Sequence, residues 1–193
     1  VEVNYPGADE AEANETVAEI VQAGGRAVAV RADVAVATEV NNMFAKLVES
    51  YGGVDILVNN AGTTVFVPFA DLESIGESDW DRVLDVNLKG PFLCACAAVP
   101  HMRQRGAGVI VNTASASAFR GGHSSSIPYS VSKAGLRMLT ECLAVAVAPE
   151  IRVNSVAPGG MLTRWGARWG EEPLKRQAEA IPLKKHASIE DVA

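Results

Sequence analysis

Tyr129 and Lys133 stand four residues apart in Tyr129-Ser130-Val131-Ser132-Lys133. Residues at that spacing share one face of a helix, so a phenol and an ammonium point the same way. A free tyrosine titrates near ~10 and is a poor base at neutral pH. A fixed cation beside it stabilises the phenolate and lowers that pKa, which suits proton exchange with a substrate near neutrality. The spacing alone also describes an ordinary helix surface, so the neighbouring residues decide.

Those neighbours are hydroxyls and amides at the ends of apolar runs. Val109 to Asn112 leads into Thr113-Ala114-Ser115, with Ser117 close behind. Asn59-Asn60-Ala61-Gly62 follows the run Val54 to Val58, and Asn154-Ser155-Val156-Ala157-Pro158-Gly159 closes another. Small residues at such ends let a ligand approach the backbone. Asn87 lies inside a helical pattern, where an asparagine is ordinarily solvated or bonded to backbone. Ser124, Ser125, Ser126 and His123 read as loop residues.

The elements that must carry these residues alternate strand and helix. The spacing predicts strands at Val1 to Tyr5, Ala27 to Val30, Val54 to Val58, Val109 to Asn112 and Ile151 to Val156. Helices are predicted from Ala8 to Ala23, from a Thr38 cap to Gly52-Gly53, from a Ser78/Asp81 capping box to Arg105 with a kink at Gly90-Pro91, and from Pro128 to Pro149. The apolar run at 54–58 suits a parallel strand covered on both faces. Such alternation implies right-handed crossovers and an α/β fold, a doubly wound parallel sheet in three layers, forming one domain over residues 1–193. In such sheets ligands bind outside the carboxyl ends of the strands, where Ser115 and Asn60 to Gly62 fall.

Composition narrows the function. The 193 residues are 48% hydrophobic, with 23 acidic and 17 basic residues and a net charge of -6. The scattered basic residues argue against a nucleic-acid surface and against a polybasic membrane patch. The apolar run Phe92 to Pro100 is too short to span a bilayer. Cys94, Cys96 and Cys142 are expected as small core residues in a reducing compartment, and no metal-ligand spacing occurs among the three His and three Cys. No signal-peptide pattern opens the chain, so cytoplasm is the default expectation.

In order, Ala32-Asp33-Val34, Asn59 to Gly62, Val86-Asn87-Leu88-Lys89-Gly90, Asn112 to Ser115, Tyr129 to Lys133, Val153 to Gly159 with Thr163, and Ile189 to Ala193 resemble the short-chain dehydrogenase/reductase family, with 3-oxoacyl reductase-like members among those matched. The likeness covers essentially the whole chain. It implies a Rossmann-like domain and hydride transfer between a nicotinamide cofactor and a carbonyl or secondary alcohol substrate. It also implies roles: Tyr129 as acid and base, Ser115 (in preference to Ser117) as hydrogen-bond donor to the substrate oxygen, Lys133 on the nicotinamide ribose and beside Tyr129, and Asn87 holding a water between Lys133 and solvent. For the cofactor it implies Asp33 and Val34 at the adenine, Asn60, Ala61 and Gly62 at the adenosine ribose, and Pro158, Gly159, Met161 and Thr163 over the nicotinamide. Asn4-Tyr5-Pro6 offers no carboxylate for a ribose 2′-hydroxyl, which favours NADP(H) over NAD(H).

The chain departs from the family in lacking the Gly-rich pyrophosphate loop and the last strand. The expectation is a piece of a longer enzyme, incomplete at both ends, in which the strands at 1–30 are parted from those at 54, 109 and 151 and cofactor binding by the piece alone is poor. After Thr163, Trp165, Arg168, Trp169 and Glu171 suit either a pocket wall or a packed lid. A homodimer or homotetramer is implied through the long helices from Ser78 and Pro128. The competing function is a catalytically silent dinucleotide-binding sensor; an extended-type epimerase is a third. The intact set Asn87, Ser115, Tyr129 and Lys133 favours the enzyme.

Overall fold

The computed structural model describes residues 1–7, 9–122, 124–163 and 170–192. Five short strands alternate with helices: β1 (Glu2–Tyr5), α1 (Glu10–Gln22), β2 (Val28–Arg31), α2 (Ala37–Tyr51), β3 (Ile56–Asn59), α3 (Glu77–Leu84), α4 (Gly90–Arg105), β4 (Gly108–Thr113), α5 (Ile127–Val147), β5 (Ile151–Val156) and α6 (Glu171–Ala180). Among the described residues every strand pair is parallel, and the strands form two groups, β1-β2 and β3-β4-β5, with no strand pairing between them. β4 lies between two partners and alternates buried and half-buried along its length. Among the described residues β3 pairs with β4 alone. Its Ile56 and Val58 are 65% and 59% exposed, so the expected cover on both faces is not met there.

One apolar core nevertheless joins the two groups. Val30, Ala32, Val34, Val40 and Phe44 pack into the same cluster as Ala98, Met102, Ile110, Ile151 and Val153. α4 contributes Cys94, Ala95, Ala98 and Met102, a row at helical spacing. The helical stretch Glu77–Arg105 is 29 residues long, and by length and composition it is apolar enough to cross a membrane. The run Phe92 to Pro100 does not reveal this, because α3 and α4 continue one another. In the structure the α4 row lies in the protein core.

Several boundaries differ from expectation for local reasons. Val36, not Thr38, precedes α2. Gly76 precedes α3 and donates its N–H to Asp79 Oδ2 at 2.9 Å, a capping contact two residues ahead of the Ser78/Asp81 pair. The irregularity expected at Gly90-Pro91 is a π-helical turn at Asp85–Lys89, in which the Gly90 N–H reaches back five residues to Asp85 O. Pro91, with no N–H to offer, sits just after that widened ring. Cys94 is buried as expected, but Cys96 and Cys142 are exposed.

Parallel pairing sorts the connections. The strand-to-helix loops after β2, β3, β4 and β5 lie at the carboxyl rim. The helix-to-strand turns at Gly24-Gly25, Gly52-Gly53, Gly106 and Pro149 lie at the opposite rim. Gly52 and Gly106 end α2 and α4 with φ of 76° and 81°, a left-handed backbone that glycine adopts without steric cost.

Candidate active site

At the carboxyl rim α5 begins on Ser126, which is fully buried and accepts the Tyr129 N–H at its Oγ. The helix then presents Tyr129 and Lys133 one turn apart, with Lys133 Nζ 5.8 Å from the phenol ring centroid. Lys133 is 4% exposed and donates to Thr113 O at 2.6 Å, which ties α5 to the end of β4. No salt bridge to Lys133 occurs among the described residues. Burial lowers its pKa from 10.5 to about 8.

Tyr129 differs from expectation. Burial raises its pKa, and a hydrogen bond from Ser115 works against that rise. Tyr129 is therefore a phenol at neutral pH, holding a proton to give.

Ser115 caps a single 3-10 turn (Ala116–Ala118) and accepts from Ser117 at its Oγ. The Ala114 N–H bonds Val156 O at 2.8 Å and the Ala116 N–H bonds Pro158 O at 2.9 Å. These two bonds bring Pro158 and Gly159 alongside the serine loop. Met161 bridges Ala187, and the Ala187 N–H donates to Gly160 O. The segment after α6 thus fastens the 158–163 loop. Thr163 closes that loop with its N–H on Met161 O.

Asn87, on the π-helical turn, is fully buried. Its Oδ1 accepts the Thr63 N–H at 2.7 Å, and its Nδ2 donates to Thr63 O and Ser132 Oγ at 2.9 and 3.0 Å. Its amide is thereby committed to the loop after Gly62 and to α5. A Cβ on Gly62 would stand 3.5 Å from Asn87 Oδ1 and 3.7 Å from Lys133 Nζ. Asn60 and Ala61 precede it, exposed at the same rim. Beneath them Asn59 Nδ2 donates to Asn112 Oδ1, and Asn112 Nδ2 to Thr140 Oγ1, a buried chain from β3 through β4 to α5.

Asp33 lies farther along the rim. Its carboxylate accepts from Ala35 N and pairs with Arg82 at 2.8 Å. These bonds hold its pKa below the usual value although burial opposes them. Asp33 thus holds a turn through the Ala35 N–H, and Val34 is buried beside it.

Thr63, Thr140 and Arg82 were not singled out by sequence, and Ser126, read as a loop residue, is the α5 cap. Ser126 carries a cap signal, a serine two residues ahead of Pro128; the others act through distant chain and leave no local signal. Ser125 is also more than a loop residue, since its Oγ meets Thr64 Oγ1 at 2.5 Å. Trp165, Arg168, Trp169 and His123 lie outside the described residues.

A phenol, an ammonium and hydroxyls thus meet at the carboxyl rim, and known proteins match the chain. Residues 2–173 match the short chain dehydrogenase family. A 3beta-hydroxysteroid dehydrogenase 1 of Eggerthella lenta is 43% identical over 100% of this chain and 74% of its own length. A 3-oxoacyl-[acyl-carrier-protein] reductase of Staphylococcus epidermidis is 37% identical over 100% of this chain and 78% of its own. The crystal structure of a gluconate 5-dehydrogenase from Burkholderia cenocepacia, in complex with NADP and tartrate, superposes with a TM-score of 0.86 at 27% identity, covering 98% of this chain and 73% of that one.

Proposed function

The chain belongs to the short-chain dehydrogenase family, and on that basis we propose that Tyr129, Ser115, Lys133 and Asn87 are the working set of an oxidoreductase acting on a carbonyl or secondary alcohol. The observation that carries this reading is a buried ammonium one helical turn from a half-buried phenol, both at the carboxyl ends of parallel strands. NAD(P)(H), when bound, supplies or accepts the hydride.

Tyr129 gives its proton to the carbonyl oxygen on reduction and takes the alcohol proton on oxidation. Ser115 donates to the same oxygen and orients it. Lys133 spends one of three N–H donors on Thr113 O, which leaves two for ribose hydroxyls. Gly62, where a Cβ would stand 3.7 Å from Lys133 Nζ, would let a sugar come close to that ammonium. Asn87 acts by fixing Thr63 and Ser132 beside it. Asp33 and Val34 would hold the adenine, Asn60, Ala61 and Gly62 the adenosine ribose, and Pro158, Gly159, Met161 and Thr163 the nicotinamide.

NADP(H) is favoured over NAD(H). β1 ends without a carboxylate, and Asn4 directs its amide at Ala32 O, at 2.9 Å, to tie β1 to β2. The relative solved with NADP is in keeping with this. α4 and α5 leave Phe92, Val131, Met138 and Val145 exposed, which supports a homodimer or homotetramer. The three free cysteines suit a reducing, cytoplasmic setting.

The test is nicotinamide absorbance in the full-length protein with NADPH and then NADH, against ketones and 3-oxoacyl thioesters, beside Tyr129→Phe. Turnover that Tyr129→Phe lowers by about 100-fold or more is expected. Turnover unchanged in that variant overturns the assignment of the proton. Cofactor binding with no turnover on any compound would favour a silent sensor.

A further inference from the structure

A serine hydroxyl has one proton and two acceptor positions. At Ser115 both acceptor positions are taken by one neighbour: the Ser117 N–H approaches Ser115 Oγ at 3.2 Å and the Ser117 hydroxyl at 2.9 Å, with Ser117 as donor in both. Ser117 is buried, and the 3-10 turn that follows the Ser115 cap holds it in place. The Ser115 proton then has one direction left, and Ser115 is bonded to the Tyr129 phenol.

We propose that Ser117 is a positioning residue: by filling both acceptor positions of Ser115 it aims the Ser115 proton at Tyr129 and at the substrate oxygen beside it. This rests on the roles given above to Ser115 and Tyr129. Hydrogen bonds in a chain strengthen one another, so the Ser117 hydroxyl also makes Ser115 a better donor. Without that hydroxyl one acceptor position of Ser115 opens towards Tyr129. The Tyr129 proton then has a second place to go, a contact with Ser115 that competes with the substrate.

The experiment compares Ser117→Ala and Ser117→Thr in the full-length protein, each with and without Tyr129→Phe. Subtracting the Tyr129→Phe titration isolates the phenolate absorbance of Tyr129, which needs no substrate. In Ser117→Ala its midpoint is expected to rise by about 0.5–1 unit. With NADPH and acetoacetyl-CoA as the probe pair, kcat is expected to fall about three- to tenfold with KM and cofactor affinity unchanged. Ser117→Thr, which keeps the hydroxyl, is expected to restore the midpoint. If Ser117→Ala does not fold, Ser117→Cys, a similar shape with a weak donor, replaces it under the same expectations. A midpoint identical in wild type and the hydroxyl-free variant overturns the role of Ser117, with Tyr129→Phe still inactive. Full activity in Tyr129→Phe instead overturns the reading beneath it, and this one with it.

Discussion

Lys133 carries a positive charge to a place that water hardly reaches, and the fold bears the cost. Its pKa is about 8 against 10.5, so between those values the folded chain binds fewer protons than the unfolded chain. Stability from this residue therefore rises with pH across that window, and the penalty is fully present below about 8. Lys133→Met is expected to stabilise the cofactor-free protein at pH 7 by roughly 2 kcal/mol, an advantage that fades as pH approaches the unfolded value, while activity is lost. Denaturant titrations at pH 7 and near ~10 check both claims; a destabilised Met variant at pH 7 would mean that the Thr113 bond outweighs desolvation. That Tyr129 and Lys133 share a helix face was legible from their spacing, and the neighbouring motifs set the pair apart from an ordinary helix surface. That burial would raise the Tyr129 pKa was not legible, because desolvation depends on every neighbour and on no single one.

The elements place these groups by buried polar bonds rather than by the apolar pattern that sequence displays. The chain Asn59–Asn112–Thr140 fastens β3, β4 and α5 below the site. Thr140→Val keeps the shape but leaves the Asn112 amide without its acceptor, and is expected to cost about 1–3 kcal/mol in denaturant unfolding. The π-helical turn does similar work above. It turns Asn87 towards Thr63, and Leu88 packs so close to α5 that a Cβ on Gly135 would stand 3.0 Å from its Cδ2. The existence and order of α2, α3–α4 and α5 could be read from helical periodicity. The π-helical turn could not: it adds one residue per turn, and Gly90-Pro91 signals only that something irregular is near.

Across the molecule, the two strand groups share a core without sharing a ladder. That separation was foreseeable from the order of strands in the resembled family. The exposure of Ile56 and Val58 follows from it, since a strand with one partner and an uncovered face invites pairing with another chain. The 193-residue polypeptide expressed alone is expected to self-associate as its concentration rises. Val58→Lys should lower its light scattering, and equal scattering from both would place the contact elsewhere. The two rims have contrasting duties: residues proposed for proton and nucleotide crowd one, and tight glycine turns occupy the other. The Gly24-Gly25 turn, with open space around Gly24, is accordingly the natural place for a purification handle, a dye or a surface tether, since anything hung there leaves the working rim facing solution.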